Sequence, residues 1–265
     1  MRDAIKISIV FTILFLLYTL FIIPELGDLG GDNAQYIFLA ESIAHGKGYA
    51  SINYPGSPPH TKYPFIFPVL LTPIILFFGE NLILMHILVI LISFLAVFLS
   101  YQYLKDRISK GLGIMLLLLT GTAPILANSL IRILSDMPYF FFTVLAMIYI
   151  ERCIDKGELS NKKIFLWSSL LLLAYFTRTI GFVLFLGLMA YLFSKAIIDK
   201  QKSIVYFKKI SLLMVFFLLP VILWSARSLY FSTPLDHGSS YYHEALLLNP
   251  YKPELGNIDF LGFIS

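Results

Sequence analysis

A succession of apolar runs, recurring along most of the chain, constrains this sequence more than any other feature. The runs lie at 7–24, 64–79, 82–104, 111–131, 137–150, 164–177, 179–194 and 210–226. Charged residues make up only 14% of the chain, whereas soluble domains carry about 25%. Apolar runs approaching the length of a bilayer-spanning helix therefore predict an all-α integral membrane protein.

The N-terminus and the basic residues orient this bundle. Arg2 and Lys6 precede the first run, which lacks the short apolar core and cleavage site of a secretory signal. We therefore predict an uncleaved first helix in the cell membrane, with its N-terminus in the cytoplasm. The net charge of +4 comes largely from basic loop clusters, so it does not indicate a nucleic-acid partner. The single cysteine, Cys153, excludes an internal disulfide.

Lysine and arginine gather in three clusters, at 105–110, 152–163 and 195–209. Cytoplasmic loops carry an excess of these residues, so an even number of crossings should separate neighbouring clusters. Between the last two clusters, the 31-residue stretch 164–194 is broken only by Arg178. As one helix it would be about 46 Å long, against a hydrocarbon core of about 30 Å. We therefore predict two short helices, with Arg178 in the external turn.

The run at 64–79 differs from the other apolar runs and does not fit a membrane crossing. It is short and carries Pro64, Pro68 and Pro73, and proline kinks a helix interior. We predict that it lies along the outer face of the membrane or dips partly into it. The other seven runs then cross the membrane as one module at 1–230, with a first external loop at 25–81. The external tail at 231–265 ends like the entry to another helix, so we expect truncation before further helices.

The first external loop interrupts the apolar sequence with polar residues. Residues 27–49 read GDLGGDNAQYIFLAESIAHGKGY, and the pattern from Asn33 to His45 predicts a partly amphipathic helix. Asp32 has two interpretations. It caps this helix, together with Gln35 as in a capping box, or it is a general base at the membrane surface. The two are compatible only if one carboxylate oxygen stays free.

Three cations are candidates for binding an anion. His60 and Lys62 lie in HTKYP and could offer positive charge to a phosphate, although a solvated loop would look the same. Arg178 is harder to dismiss, because an arginine inside a long apolar run is a functional-site candidate by default. An ion pair that holds the bundle together is the alternative for Arg178.

The segment NSLIRILSDMP contains two further candidates, Arg132 and Asp136, just before a predicted span. Asp136 is followed by Met137 and Pro138, so it is also a plausible helix N-terminus, a role that Ser135 could share. Arg227, at the outer end of the last run, fits an interfacial anchor.

The spacing of these groups fits no standard metal site, P-loop, nucleotide-binding glycine motif or Ser-His-Asp arrangement. What remains is a water-facing surface with a carboxylate base candidate, several cations and many tyrosines above a lipid-embedded bundle. Such a surface suits a substrate that has a phosphate at the membrane surface and an apolar tail in the bilayer.

Four segments in order carry a resemblance to a known family. They are GGDNAQYIFLAESIAHGKGY, HTKYPFIFPVLLTPIILFFGEN, SDMPYFFFTVLAMIYI and LAYFTRTIGFVLFL. Together they resemble the GT-C superfamily of integral membrane glycosyltransferases, in particular the branch of the dolichyl-phosphate-mannose protein mannosyltransferases and aminoarabinose transferases. The resemblance implies a GT-C-like bundle of about seven transmembrane helices, with external juxtamembrane helices in the first loop. Two positions depart from the family: Asn33 stands where many relatives have a second acid, and Tyr63-Pro64 replaces a double proline.

The resemblance also implies an activity. It predicts inverting transfer of a sugar from a polyprenyl-phosphate donor to an external acceptor: a protein, a glycolipid or a wall polymer. Asp32 matches the catalytic aspartate and Asp136 a second acid, while Lys62 and Arg178 match positions that could meet the lipid phosphate. The expected substrate-binding set is completed by His60, Tyr63, Arg132 and Tyr36. No cofactor is expected, and a divalent cation is not indicated. The alternatives are a transporter or flippase of a lipid-linked or small polar substrate, and an inactive fragment.

Overall fold

The computed structural model describes residues 31–105, 132–157, 159–201 and 203–231, and positions 13, 107–109, 111–113, 115, 116 and 119. In these residues the regular secondary structure is helical, apart from an isolated bridge between Ala50 and Pro59. The helices are α1 (Asp32–Ala44), α2 (Ile66–Phe78), α3 (Leu82–Leu104), α4 (Asp136–Asp155), α5 (Asn161–Thr177), α6 (Phe182–Ile198) and α7 (Ser203–Phe231).

Among the described residues, four helical segments are long and apolar enough to cross a membrane, which indicates a membrane-embedded protein. They are Leu82–Leu104, Asp136–Asp155, Thr179–Ile198 and Ser203–Phe231. At 17 residues, α5 is shorter and extends about 26 Å. The predicted crossing at 7–24 except position 13, most of that at 111–131, and the tail from 232 lie outside the described residues. The count of seven crossings therefore stays a prediction.

The predicted division of 164–194 into two helices is confirmed. Helix α5 ends at Thr177, Arg178 is extended, and a single 3₁₀ turn, Thr179–Gly181, leads into α6. The Gly181 N–H donates to the Arg178 carbonyl at 2.9 Å. A Cβ on Gly181 would lie 2.7 Å from the Tyr175 backbone nitrogen, so any other residue there would force the turn to shift.

Helices α1 and α2 pack together over the beginning of α3. Their shared core buries Tyr36, Leu39, Phe67, Leu71, Met85, Val89 and Ile133. Pro73 lies inside α2 without ending it, and the helix stops at Gly79, where φ is 68°. The end of α2 exposes Leu76, Phe77 and Phe78, with Phe77 80% exposed. An apolar helix tip of this kind suits the predicted contact with lipid.

A second core joins α4, α5, α6 and α7. It buries Trp167, Leu171, Phe185, Leu192, Leu213 and Phe217, and it also holds Cys153. The rings of Phe185 and Phe217 stack at 4.3 Å between centroids. This packing fixes the α5–α6 hairpin against α7, and so fixes the position of the turn that carries Arg178.

Candidate active site

Asp32 is the first residue of α1, one position inside the helix. The N-cap position is held by Gly31, with φ 64°, which has no side chain to cap the helix. The interpretation of Asp32 as a capping residue is therefore wrong. Its carboxylate reaches across the first loop instead, where Oδ1 accepts a hydrogen bond of 2.5 Å from the Tyr63 hydroxyl. The described residues place no hydrogen-bond donor on the other carboxylate oxygen.

Tyr63 is held from several sides. Its side chain is only 6% exposed, and its ring lies 5.0 Å from the Tyr36 ring and stacks on His60 at 5.3 Å. The Tyr63 N–H donates to His60 Nε2 at 2.9 Å. The Tyr49 hydroxyl donates to the carbonyls of Tyr63, at 2.9 Å, and Pro64, at 3.1 Å. Burial raises the pKa of Tyr49, so this hydroxyl keeps the proton that it donates.

His60 is a structural residue of the loop. Because Nε2 accepts from Tyr63, the neutral ring carries its proton on Nδ1 and donates it to Ser51 Oγ at 2.9 Å. Burial lowers the pKa of His60 from 6.5 to about 3, and the positive charges of Arg227 and Lys62 contribute. The expectation that His60 offers positive charge to a phosphate is therefore corrected: the ring is neutral, and both nitrogens are in use.

Asp136 and Arg178 form an ion pair between the start of α4 and the α5–α6 turn. Arg178 Nη1 donates to Asp136 Oδ1. Both side chains stay accessible, at 37% and 42% relative exposure for Arg178 and Asp136. A guanidinium has five N–H donors, so this pair leaves others available. The ion pair considered as the alternative for Arg178 is present, and because both side chains are partly exposed it is compatible with binding an anion.

A buried hydrogen bond joins α1 to the start of α4. The Tyr36 hydroxyl and Ser135 Oγ are 2.9 Å apart. Ser135 holds the N-cap position of α4 but makes no capping bond with its side chain. The Tyr36–Ser135 contact brings Asp32, four residues before Tyr36, to the same end of the bundle as Asp136.

These groups surround a pocket of about 530 Å³. Its lining consists of Asp32, Tyr36, Tyr63, Pro64, Leu134, Ser135, Asp136, Tyr139, Thr177, Arg178, Thr179 and Ile180. Five of the eight sequence-predicted site residues are among them. The other three, His60, Lys62 and Arg132, are not, although Lys62 Nζ lies 5.5 Å from the centre of the Tyr63 ring.

Sequence reasoning missed several lining residues. Tyr139 is three residues after Asp136, and i, i+3 neighbours share a helix face, so helical spacing could have found it. Thr177 and Thr179 flank Arg178 directly in the turn. Because Arg178 was already a candidate, its two sequence neighbours could have been predicted to lie at the same site.

Arg227 has a more specific role than an interfacial anchor. From α7 it donates to the carbonyls of His60, at 2.7 Å, and Tyr49, at 3.3 Å. Its guanidinium also lies 4.9 Å from the centre of the Trp224 ring. Arg227 thus links the first loop to α7, the last described helix, through these hydrogen bonds.

Comparisons with protein-family models, curated proteins and solved structures find no match for this chain. Within the described parts of the chain, no group of three or more His, Cys, Asp or Glu side chains could hold a metal ion. The likeness to GT-C glycosyltransferases rests on the four sequence segments and stays a prediction.

Proposed function

We propose that the protein is an integral membrane glycosyltransferase that moves a sugar from a polyprenyl-phosphate donor to a hydroxyl acceptor. One observation carries the proposal. Four segments that are far apart in sequence, and that resemble GT-C motifs, contribute Asp32, Tyr63, Asp136 and Arg178 to a single pocket. A carboxylate and a guanidinium that share a pocket can accept a proton and stabilise a departing phosphate.

The chemistry is a single displacement. The acceptor oxygen attacks the anomeric carbon while the bond from that carbon to the phosphate oxygen breaks, which inverts the configuration. The acceptor proton moves to the Asp32 carboxylate oxygen that Tyr63 does not engage, and the bonding electron pair leaves on the polyprenyl phosphate. Arg178 stabilises the charge that develops on this phosphate.

Asp136 acts in this scheme through Arg178. Its bond to Nη1 orients the guanidinium at the pocket wall, and the remaining N–H donors suit the oxygens of a phosphate. Lys62 is proposed as a further cation at the rim, since it lies over the Tyr63 ring rather than in the pocket lining.

The proposed location is the external face of the cell membrane. The pocket lies at the beginning of α4 and at the α5–α6 turn. Basic residues of the predicted cytoplasmic clusters lie at the opposite ends of these helices: Arg152 near the end of α4, Lys162 at the start of α5 and Lys195 near the end of α6. This distribution supports an external pocket by the positive-inside rule. The acceptor is then a protein, a glycolipid or a wall polymer.

Asp32→Asn tests the proposal. We expect the purified protein in proteoliposomes to consume at least one of polyprenyl-phosphate-linked mannose, glucose or aminoarabinose, with membrane extract as acceptor. Because a general base contributes about 10²- to 10⁴-fold, Asp32→Asn should lower the rate by at least about 100-fold. Glu41→Gln, an acidic position of the same helix outside the pocket lining, should retain the full rate.

Either of two outcomes would refute the proposal. One is full transfer by a folded Asp32→Asn protein. The other is that the folded wild-type protein consumes none of these donors. In the second case, movement of the same labelled lipids between leaflets, without loss of their sugar, would favour a flippase instead.

A further inference from the structure

We infer that Tyr63 is the positioning residue of Asp32, a role that rests on the proposed function. The Tyr63 hydroxyl donates to Asp32 Oδ1 at 2.5 Å. Of the described residues, no other donates a hydrogen bond to this carboxylate. The hydroxyl therefore decides which oxygen of Asp32 is engaged and which one faces an acceptor.

Asp32 needs such a partner because its own helix does not hold it. It lies at the exposed first turn of α1, where no side-chain capping bond forms. A carboxylate on the surface of a first turn rotates among several staggered states. One fixed donor selects a single state, and a base held in reacting geometry needs no reorganisation during the reaction.

Tyr63 can serve as this donor because its ring cannot move freely. It is buried between Tyr36 and His60, with the His60 ring nearly parallel to it at an interplanar angle of 9°. Its backbone N–H and carbonyl are fixed by His60 and Tyr49. The phenol therefore presents its O–H from a rigid support.

The support extends to the far end of the described chain. Arg227 of α7 holds the carbonyls of His60 and Tyr49, the two residues that fix the Tyr63 backbone. Asp32 is thus connected to the last described helix through Tyr63 and the loop at 49–64. The position of the base depends on contacts that local sequence around Asp32 does not contain.

The phenol keeps its proton throughout the reaction. Oδ1 accepts the Tyr63 hydrogen bond while the free oxygen takes the proton of the acceptor hydroxyl. In the resulting neutral carboxyl group, Oδ1 is the carbonyl oxygen and still accepts from Tyr63. No proton has to cross from the tyrosine, so its contribution is to geometry.

Tyr63→Phe isolates this contribution, because it keeps the stacked ring and removes only the hydroxyl. A hydrogen bond to a charged group corresponds to about a 10- to 100-fold effect. We expect kcat for donor consumption to fall by this factor in Tyr63→Phe, while the KM values for donor and acceptor change less than about twofold. Tyr54→Phe removes a hydroxyl from the same loop at an exposed position outside the pocket, and it should leave kcat unchanged.

The outcomes separate this inference from the proposed function. If Asp32→Asn is inactive and Tyr63→Phe retains the wild-type kcat, the positioning role is overturned and the general base stands. A rise in KM with kcat unchanged would likewise overturn the positioning role, since it would make Tyr63 a binding residue. If Asp32→Asn transfers sugar normally, the proposed function fails, and the role of Tyr63 fails with it.

Discussion

Lowering the pH from 7.5 to 5.0 should loosen the loop at 49–64, because His60 must be neutral to hold it. Its Nε2 accepts the Tyr63 N–H, and its Nδ1 donates to Ser51. A proton on Nε2 would abolish the first of these bonds. The protonated ring would also face the charges of Arg227 and Lys62.

The pKa values set the size and the sign of the effect. The pKa of His60 is about 3 in the closed loop and ordinarily 6.5. Above pH 6.5 both states are neutral and the loop has its full stability. As the pH falls below 6.5, only the open loop takes up the proton, so opening becomes easier until the pH nears 3. At pH 5.0, which is about 1.5 pH units below the ordinary pKa, the free energy of opening the loop falls by about 2 kcal/mol. The opening equilibrium constant therefore rises about 30-fold.

Hydrogen exchange measured by mass spectrometry tests this directly. After correction for the intrinsic pH dependence of exchange, amides at 49–64 should lose about 30-fold of their protection between pH 7.5 and 5.0. In His60→Gln this pH dependence should vanish. His45→Gln, which removes an exposed histidine, should behave like the wild type. Wild-type protection that does not change with pH, or the same loss in His60→Gln, would contradict this prediction.

Two further predictions concern the α5–α6 turn. Gly181→Ala should lower the melting temperature by an amount corresponding to about 1–3 kcal/mol, because its Cβ would meet the Tyr175 backbone. Gly187→Ala, where the Cβ meets nothing within 4 Å, should not lower the melting temperature. Equal melting temperatures of the two variants would contradict the close approach at Gly181. Arg178→Gln should change stability by less than about 1 kcal/mol, since its pair with Asp136 is partly exposed, yet it should lower donor consumption at least about tenfold. Unaltered consumption in the same transfer assay would remove Arg178 from the mechanism.

Two features of the fold could be predicted from the lengths of the apolar runs. Helix α3 spans Leu82–Leu104, the same bounds as the apolar run, because Asn81 caps its start and Lys105 follows its end. The α5–α6 hairpin was predictable since one helix of that length does not fit a bilayer. These features depend on local chemistry and on membrane thickness, and both can be read from sequence.

The site was predictable only in part, because its geometry depends on distant contacts. The motifs made Asp32, Asp136 and Arg178 candidates, but the hydrogen-bond partner of Asp32 lies 31 residues away. The Arg227 bond to the His60 carbonyl spans 167 residues. Hydrophobic periodicity carries no information about such pairs. His60 shows the consequence: the sequence suggested a possible source of positive charge, whereas burial in the fold lowers the pKa of the ring to about 3 and keeps it neutral in mild acid as well.

The beginnings of four helices bear on whether the pocket is functional. Away from it, α3 and α5 begin with side-chain caps, from Asn81 to the Leu84 N–H and from Ser160 to the Lys163 N–H. At the pocket, α1 and α4 have no such cap, although a cap typically contributes about 1 kcal/mol.

The polar groups at these two pocket helix starts are used elsewhere. Asp32 is bonded by Tyr63, Asp136 by Arg178, and the Ser135 hydroxyl pairs with Tyr36. Each of these side chains bonds to a partner across the pocket and not to the backbone amides at the start of its own helix. Helices α2 and α6 also begin without a side-chain cap, but their N-cap residues, Phe65 and Gly181, have no polar side chain to offer. At α1 and α4 polar side chains are present and are used across the pocket, and violations of a local rule are expected at functional sites. A purely structural bundle would gain by capping these helices, so these two helix starts support the proposal that the pocket is a functional site.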